Sequence, residues 1–305
     1  MQTFPVLITA DSSDQSLASY FSDRKPIISA ELAAHGAILF RGFNVSAATD
    51  FDAAVTAFGE ENFPYKESLS NAVRVNVTER VFTANEAPPD VSIFLHHEMA
   101  QTPIYPSKLF FYCEIAADGG GATPVCRSDL LLDALSSHNA KVVQAFEEKG
   151  VRYRTTMPYE DDAASGLGRS WRSTLGAVAK KDAEKRLAKL GYEWTWLEGE
   201  ALRVTTPRLE AVRVLPDGRK TFFNQLIAAY RGWKDARNDP SKSITFGDDT
   251  PIDPQDMAVA IDLSDELTAD LQWQPGDVAL LDNYLVMHGR RPFSGKRCVL
   301  ASLIS

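Results

Sequence analysis

The chain is poor in cysteine, and the three it has, Cys113, Cys126 and Cys298, are odd in number and form no C-x-x-C. That excludes a disulfide framework and a cysteine zinc site, and a reducing cytoplasm is the expected setting. It also lacks a surplus of positive charge. Thirty-two basic residues against 41 acidic ones leave −9. Such a surface repels phosphate backbones and anionic lipid, so neither nucleic acid nor a membrane is an expected partner. No apolar run approaches the roughly 18 residues of a membrane span. The opening, MQTFPVLITADSSDQ, has neither the basic region nor the long apolar core of a signal peptide. G-x-G-x-x-G and G-x-x-x-x-G-K-[ST] are absent, which removes the usual nucleotide-binding folds.

What is present is a globular composition, 44% apolar and 24% charged over 305 residues. With no repeat and no linker-like tract, one domain over 1–305 is expected. Helices are expected at Pro26–His35 and after Thr49, where Phe51, Val55 and Phe58 recur at helical spacing. Others are expected from a Ser128 cap to Gly150, over 180–190, and from Pro254 to Asp270. Strand-forming runs lie at 37–40, 74–77, 108–115, 211–215, 220–226, 277–288 and 297–304. These strands cluster instead of alternating with helices. The pattern fits a mainly β fold with added helices, a sandwich or jelly roll, better than a doubly wound sheet. The polar, glycine-bearing segment 154–176 reads as a lid or a surface excursion, within an insertion around 154–200.

Only five histidines occur, and two of them stand together in FLHHEMAQ. If that segment is extended, alternation puts His96 and Glu98 on one face and His97 on the other. The strand VALLDNYLVMH then ends at His288, among polar residues. Two histidines and one carboxylate on one face of a metal form the facial triad of non-heme Fe(II) oxygenases. Unconnected surface or core histidines are the plain alternative for H-x-E alone. Pro292, Ser294 and Gly295 are turn formers, so the flanking strands are expected to pair antiparallel and return Arg297 toward the metal end. There its guanidinium would bind a carboxylate through two parallel hydrogen bonds. Thr123, after a glycine run, offers a hydroxyl to the same carboxylate.

HHEMAQTPIYPSKLFFYCEIAADGGGATP, GDVALLDNYLVMHGRRPFSGKR and the N-terminal HGAILFRGF resemble the taurine dioxygenase and clavaminate synthase-like family of Fe(II)/2-oxoglutarate-dependent oxygenases. The resemblance runs from about residue 30 to the C-terminus and is weaker in the middle. It implies a double-stranded β-helix (jelly roll, cupin-like) core, with His96, Glu98 and His288 on iron. It implies Arg297 and Thr123 on the distal carboxylate of 2-oxoglutarate, with O2 as the other cosubstrate. The carboxylate ligand is glutamate, as in the clavaminate synthase-like branch, and Glu98 argues against a halogenase. Some relatives place a second arginine four residues after the first, for an anionic substrate; here that position is Ala301, so a sulfonate such as taurine is not expected.

His97 is expected to be structural. The segment TANEAPPD, stiffened by Pro88 and Pro89, is expected to border the pocket. Asn85 and Gln101 are substrate candidates, as are Asn224 and Arg231 in FFNQLIAAYRGW. The implied reaction couples oxidative decarboxylation of 2-oxoglutarate to oxidation, by default hydroxylation, of a C–H bond. The implied substrate is a small polar molecule, an amino acid or amino-acid-derived group, free or carrier-bound. Two other readings stand beside it: a zinc hydrolase on the same trio, and a silent jelly-roll binding protein.

Overall fold

The computed structural model of the chain describes residues 4–63, 69, 74–84, 87–162, 168–232 and 237–305. Its largest sheet has six strands in the order Val6–Thr9, Ala37–Arg41, Val278–Asp282, Lys108–Ile115, Cys298–Ile304 and Phe82–Thr83. The first pair is parallel and the rest are antiparallel. Ala37–Arg41 and Val278–Asp282 are buried almost throughout, which is why AILF and VALL are unbroken apolar runs. Helices Leu17–His35 and Ala48–Phe58 cover one face, setting Phe21 on Phe40, Phe51 on Tyr112 and Phe58 on Phe110.

The opposite face meets a second sheet, ordered Ala269–Leu271, Thr123–Arg127, Val286–Arg290 and Ile93–His96. Phe111, Ala279 and Val299 of the first sheet share one apolar cluster with Val125, Val286 and Leu271 of the second. The chain crosses between the sheets at Asn283-Tyr284-Leu285. The run 277–288 is therefore two strands and not the single one expected. The cause is polar: Tyr284 N–H donates to Asp282 Oδ1 at 2.8 Å, and Asn283 turns inward.

A second expectation is corrected in the same region. The strands on either side of 291–297 do not pair with each other, because they belong to different sheets. The connection instead forms a two-residue ladder, Phe293–Ser294 against Gly119–Gly120. A third sheet, Ile244–Phe246, Val151–Met157, Leu202–Thr205 and Glu193–Trp196, has its own apolar cluster around Trp171, Leu187 and Tyr192.

Several boundaries move for identifiable reasons. The first helix starts at Leu17 because Leu17 and Phe21 extend the buried stripe of Ile28 and Leu32 through the exposed Pro26. The helix expected from Ser128 to Gly150 breaks at Asn139, which caps the second half, Ala140–Lys149. Ser128 is no cap, since its hydroxyl serves His97. Residues 74–77 make a single bridge, Asn76 to Phe82, and no strand. In 220–226 only Lys220–Thr221 is strand, and a helix starts at Leu226.

Candidate metal centre

His288, on Val286–Arg290, and His96, on Ile93–His96, are directly opposed partners in the antiparallel ladder of the second sheet. Opposed residues share a face, and their ring centroids lie 4.4 Å apart. Glu98 arrives by a different route from the one alternation suggests. The strand stops at His96, and the chain turns through Met99, whose φ of 59° is left-handed. That conformation costs a non-glycine residue roughly 1–2 kcal/mol. Asn283 holds the turn. Its Oδ1 accepts from Glu98 N–H at 2.7 Å, and its Nδ2 donates to the carbonyls of Glu98 and Pro106 at 3.0 and 2.8 Å. One ligand atom from each of His96, Glu98 and His288 then lies within 4.8 Å of the others.

His96 and Glu98 are in the states a divalent ion requires. His96 Nδ1–H donates to the Phe94 carbonyl at 2.8 Å, leaving Nε2 as a bare lone pair. Burial, followed by the neighbouring His288, pushes the His96 imidazole down to about 4, so it is neutral. Burial alone would push the Glu98 carboxyl up, but Arg74, His288 and His96 outweigh it and hold it well below the usual carboxylate range. Arg74 Nη2 reaches the two Glu98 oxygens at 3.1 and 3.2 Å. His288 Nε2 stands 3.6 Å from Glu98 Oε2, and its Nδ1 is buried with no hydrogen-bond partner. An anionic oxygen and two imidazoles gathered in a buried spot fit an ion such as Fe(II).

His97 is turned away and fully buried. Its Nδ1–H donates to the Asn283 carbonyl and its Nε2 pairs with Ser128 Oγ at 3.0 Å. Burial drives its imidazole down to about 3. Behind it, Gln225 Nε2 donates to the His97 carbonyl at 3.0 Å, and Gln225 N–H donates to Tyr153 Oη of the third sheet at 3.1 Å.

Arg297 and Thr123 open onto the same pocket as the trio. Arg297 Nε donates to the Gly121 carbonyl at 3.0 Å. Gly121 has a φ of +73°, and a Cβ there would stand 3.2 Å from Arg297 Cδ and Nε, so the side chain lies where only glycine leaves room. Burial, then the charge of Arg290, lowers the Arg297 guanidinium to about 10, which still leaves it cationic at neutral pH. Thr123 Oγ1 accepts from Trp273 Nε1 at 3.0 Å.

The remaining candidates scatter. Asn224 does not line the pocket: it is fully buried, its Nδ2 donating to the Ala211 carbonyl and its Oδ1 accepting from Leu226 N–H. Arg231 pairs with Asp265 at 2.6 Å and lies over Phe94. Gln101 is outside the pocket lining, and Asn85 falls outside the described residues. The segment TANEAPPD does border the pocket, at Ala84. The described residues of 154–176 do not: 154–157 are strand in the third sheet and Trp171–Leu175 is a helix of its cluster. Of the lid and the surface excursion that the sequence leaves open there, the described residues show no lid contact with the pocket.

Sequence reasoning missed Arg74, Asn283 and Arg290. Asn283 carried a signal, as the polar interruption of an apolar strand. Arg290 is 6% exposed and donates to the carbonyls of Ala87, Pro88 and Val91 at 2.7–2.8 Å, pinning the segment 87–91. Arg74 gave no signal, because nothing in RVNV foretells that it reaches Glu98.

Comparison with known proteins agrees with this site. The family model described as Taurine catabolism dioxygenase TauD, TfdA family matches residues 8–303. A clavaminate synthase-like protein of Arabidopsis thaliana is 43% identical over 269 residues, 88% of this chain and 81% of the relative. The dapdiamide synthesis protein DdaC of Enterobacter agglomerans is 29% identical over 310 residues, 98% of this chain and 90% of that protein. The crystal structure of a taurine dioxygenase from Burkholderia xenovorans superposes with a TM-score of 0.53 at 15% identity, covering 92% of this chain and 80% of that one. Enzymes of the matching family use Fe(II) and 2-oxoglutarate with O2. The chain belongs to the TauD/TfdA family and is a 2-oxoglutarate-dependent non-heme iron oxygenase.

Proposed function

We propose that His96, Glu98 and His288 hold the iron, that Arg297 and Thr123 hold the far carboxylate of 2-oxoglutarate, and that the enzyme hydroxylates a C–H bond of an amino acid or amino-acid-derived molecule. The observation that carries this is the shared pocket: a guanidinium and a hydroxyl face the same cavity as the three ligands. Bound there, Fe(II) with 2-oxoglutarate and O2 supplies the oxidising power to break an unactivated C–H bond.

The chain's own residues do the rest. Arg297, held by Gly121 at Nε, presents its remaining donors to an incoming carboxylate. Thr123 already accepts from Trp273, so its O–H is left to donate to that carboxylate. Arg74 keeps Glu98 ionised. Ile93, Phe111 and Val299 give the pocket apolar walls, which exclude water from the reacting centre.

Likeness to the dapdiamide synthesis protein supports the substrate class, free or carrier-bound. We further propose that the six- and four-stranded sheets form the two halves of a double-stranded β-helix. Residues 1–305 then constitute one oxygenase domain, with an insertion around 154–200 that holds strand Glu193–Trp196 and the end of Val151–Met157. No described helix is long and apolar enough to cross a membrane, and three free cysteines suit a reducing cytoplasm.

Succinate release is to be measured with Fe(II), 2-oxoglutarate and a panel of amino acids and their derivatives, for the parent protein and Arg297→Ala. Metal-dependent succinate from the parent and its loss in the variant are expected. A parent that consumes no 2-oxoglutarate with any panel member, or a variant that consumes it equally well, contradicts the reading.

A further inference from the structure

We propose that Trp273 is a positioning residue for the cosubstrate: its indole N–H fixes the direction in which Thr123 offers its proton, and so suits this end of the pocket to a carboxylate. The inference rests on the function proposed above, in which Thr123 and Arg297 meet the far carboxylate of 2-oxoglutarate. It also gives a task to two sequence features that the metal centre leaves unused, the Arg41 of HGAILFRGF and the run Trp273-Gln-Pro-Gly-Asp277.

A threonine hydroxyl both donates and accepts, so by itself it fits an amide, a hydroxyl or a carboxylate. Indole nitrogen carries a proton and accepts none. With Trp273 Nε1 donating to Thr123 Oγ1 at 3.0 Å, the Thr123 proton cannot go to Trp273 and is left for a group that accepts. Arg297, on the same pocket, has donors only. Together the two residues present hydrogens and call for a partner rich in lone pairs, which an ionised carboxylate is.

The indole is held from two sides. Leu271 stands opposite Thr123 in the ladder of the smaller sheet, so Trp273 leaves that sheet two residues beyond the partner of Thr123. Val278 begins the next strand, in the larger sheet, and residues 272–277 bridge the two. Asp277, 1% exposed, closes that bridge. Its Oδ1 and Oδ2 accept from Arg41 Nε and Nη2 at 3.0 and 2.7 Å, and Oδ2 also accepts from Gln274 N–H at 2.7 Å. Arg41 Nη2 donates as well to the Gln272 carbonyl at 2.8 Å. Both chain neighbours of Trp273 are thus tied to one ion pair, and Gly276, with a φ of +89°, permits the tight return. The ring itself packs on the apolar cluster of Phe111, Val125 and Val299. A donor anchored in this way stays on Thr123 whether or not the pocket is filled.

A double-mutant cycle on cosubstrate binding tests this. Affinity for 2-oxoglutarate is measured by calorimetry on Mn(II)-loaded protein under argon, for the parent, Trp273→Phe, Thr123→Val and the double variant. Trp273→Phe should weaken binding about three- to tenfold, the scale of one hydrogen bond. Thr123→Val should weaken it at least as much, and adding Trp273→Phe to Thr123→Val should change it by less than about twofold. Trp273→Leu, a second way to remove the donor, should show the same dependence on Thr123. Because each effect is compared across two backgrounds, a general loss of site integrity cancels. Trp273 variants with the parent affinity, or a loss as large without the Thr123 hydroxyl as with it, overturn the assignment. If Arg297→Ala weakens binding while the Trp273 variants do not, this inference alone falls. If the parent binds no 2-oxoglutarate, or Arg297→Ala and Thr123→Val both bind it as the parent does, the proposed function falls and this inference with it.

Discussion

Asn283→Ala is the sharpest probe of how the metal centre is supported, because one fully buried amide makes two hydrogen bonds to the backbone of Glu98 and a third to Pro106. Truncation strands the Glu98 N–H, the Glu98 carbonyl and the Pro106 carbonyl. A buried polar group left unpaired costs about 1–3 kcal/mol. The void left by the amide has room for about one water, which would re-bond some of these groups, so the low end applies and the total is about 3 kcal/mol. That is a large share of the roughly 5–15 kcal/mol by which a protein is stable. Urea unfolding should show it. With both anchors of the Glu98 backbone gone, Mn(II) affinity measured by calorimetry should fall roughly 10–100-fold, as for other residues that orient a metal ligand. Asn283→Asp keeps the acceptor for Glu98 N–H but sets a carboxylate against two carbonyls, so it should not rescue either quantity. An alanine variant within about 1 kcal/mol of the parent and with unchanged Mn(II) affinity would refute the support assigned to Asn283.

Other outcomes are expected from the same geometry. Arg297→Ala should weaken 2-oxoglutarate binding at least roughly thirtyfold by calorimetry, since losing one partner of a buried charged pair costs on the order of 2–5 kcal/mol; an unchanged Kd would remove Arg297 from the site. Arg290→Ala frees three carbonyls of the 87–91 segment, so proteolytic nicking there should accelerate about tenfold, and equal rates would show that the segment is held by something else. Cys113 and Cys126 are buried, and burial pushes both thiols up to about 12. Iodoacetamide at pH 8 should therefore modify at most Cys298 in the native protein, whereas labelling of either buried thiol would contradict their packing.

The chemistry was more legible in the sequence than the path of the chain. H-x-E, the distant His288 and the glycine run before Thr123 are short signals tied to ligand geometry, and the structure brings those residues to one pocket. The reasons offered for their convergence were partly different from those found. Alternation assigned Glu98 to the His96 face, but the left-handed Met99 turn sets it there. A hairpin was to return Arg297, but the chain instead crosses between sheets and clamps Arg297 on Gly121. Period and propensity report local preference, whereas a sheet-to-sheet crossing depends on which partner strand is already in place. Asn283 shows the difference: its type marks a break in an apolar run, but its three partners lie about 180 residues away in the sequence. Arg74 and the third sheet were missed on the same ground, since Met157, Trp171 and Leu175 join one cluster with Leu187 and Tyr192 through tertiary contacts that no local pattern carries.

The opposed pairing of His96 with His288 also bears on how the protein assembles. Side chains alternate across a strand, so a slip of one residue would turn His288 to the far side and bring Met287 or Gly289 opposite His96. A slip of one residue no longer presents both imidazoles to one ion. Binding free energy at the centre therefore adds to the stability of the native alignment over any slip that turns one imidazole to the far side. Divalent metal thus acts as a pin through the smaller sheet, choosing among alignments that hydrophobic burial by itself would separate less sharply.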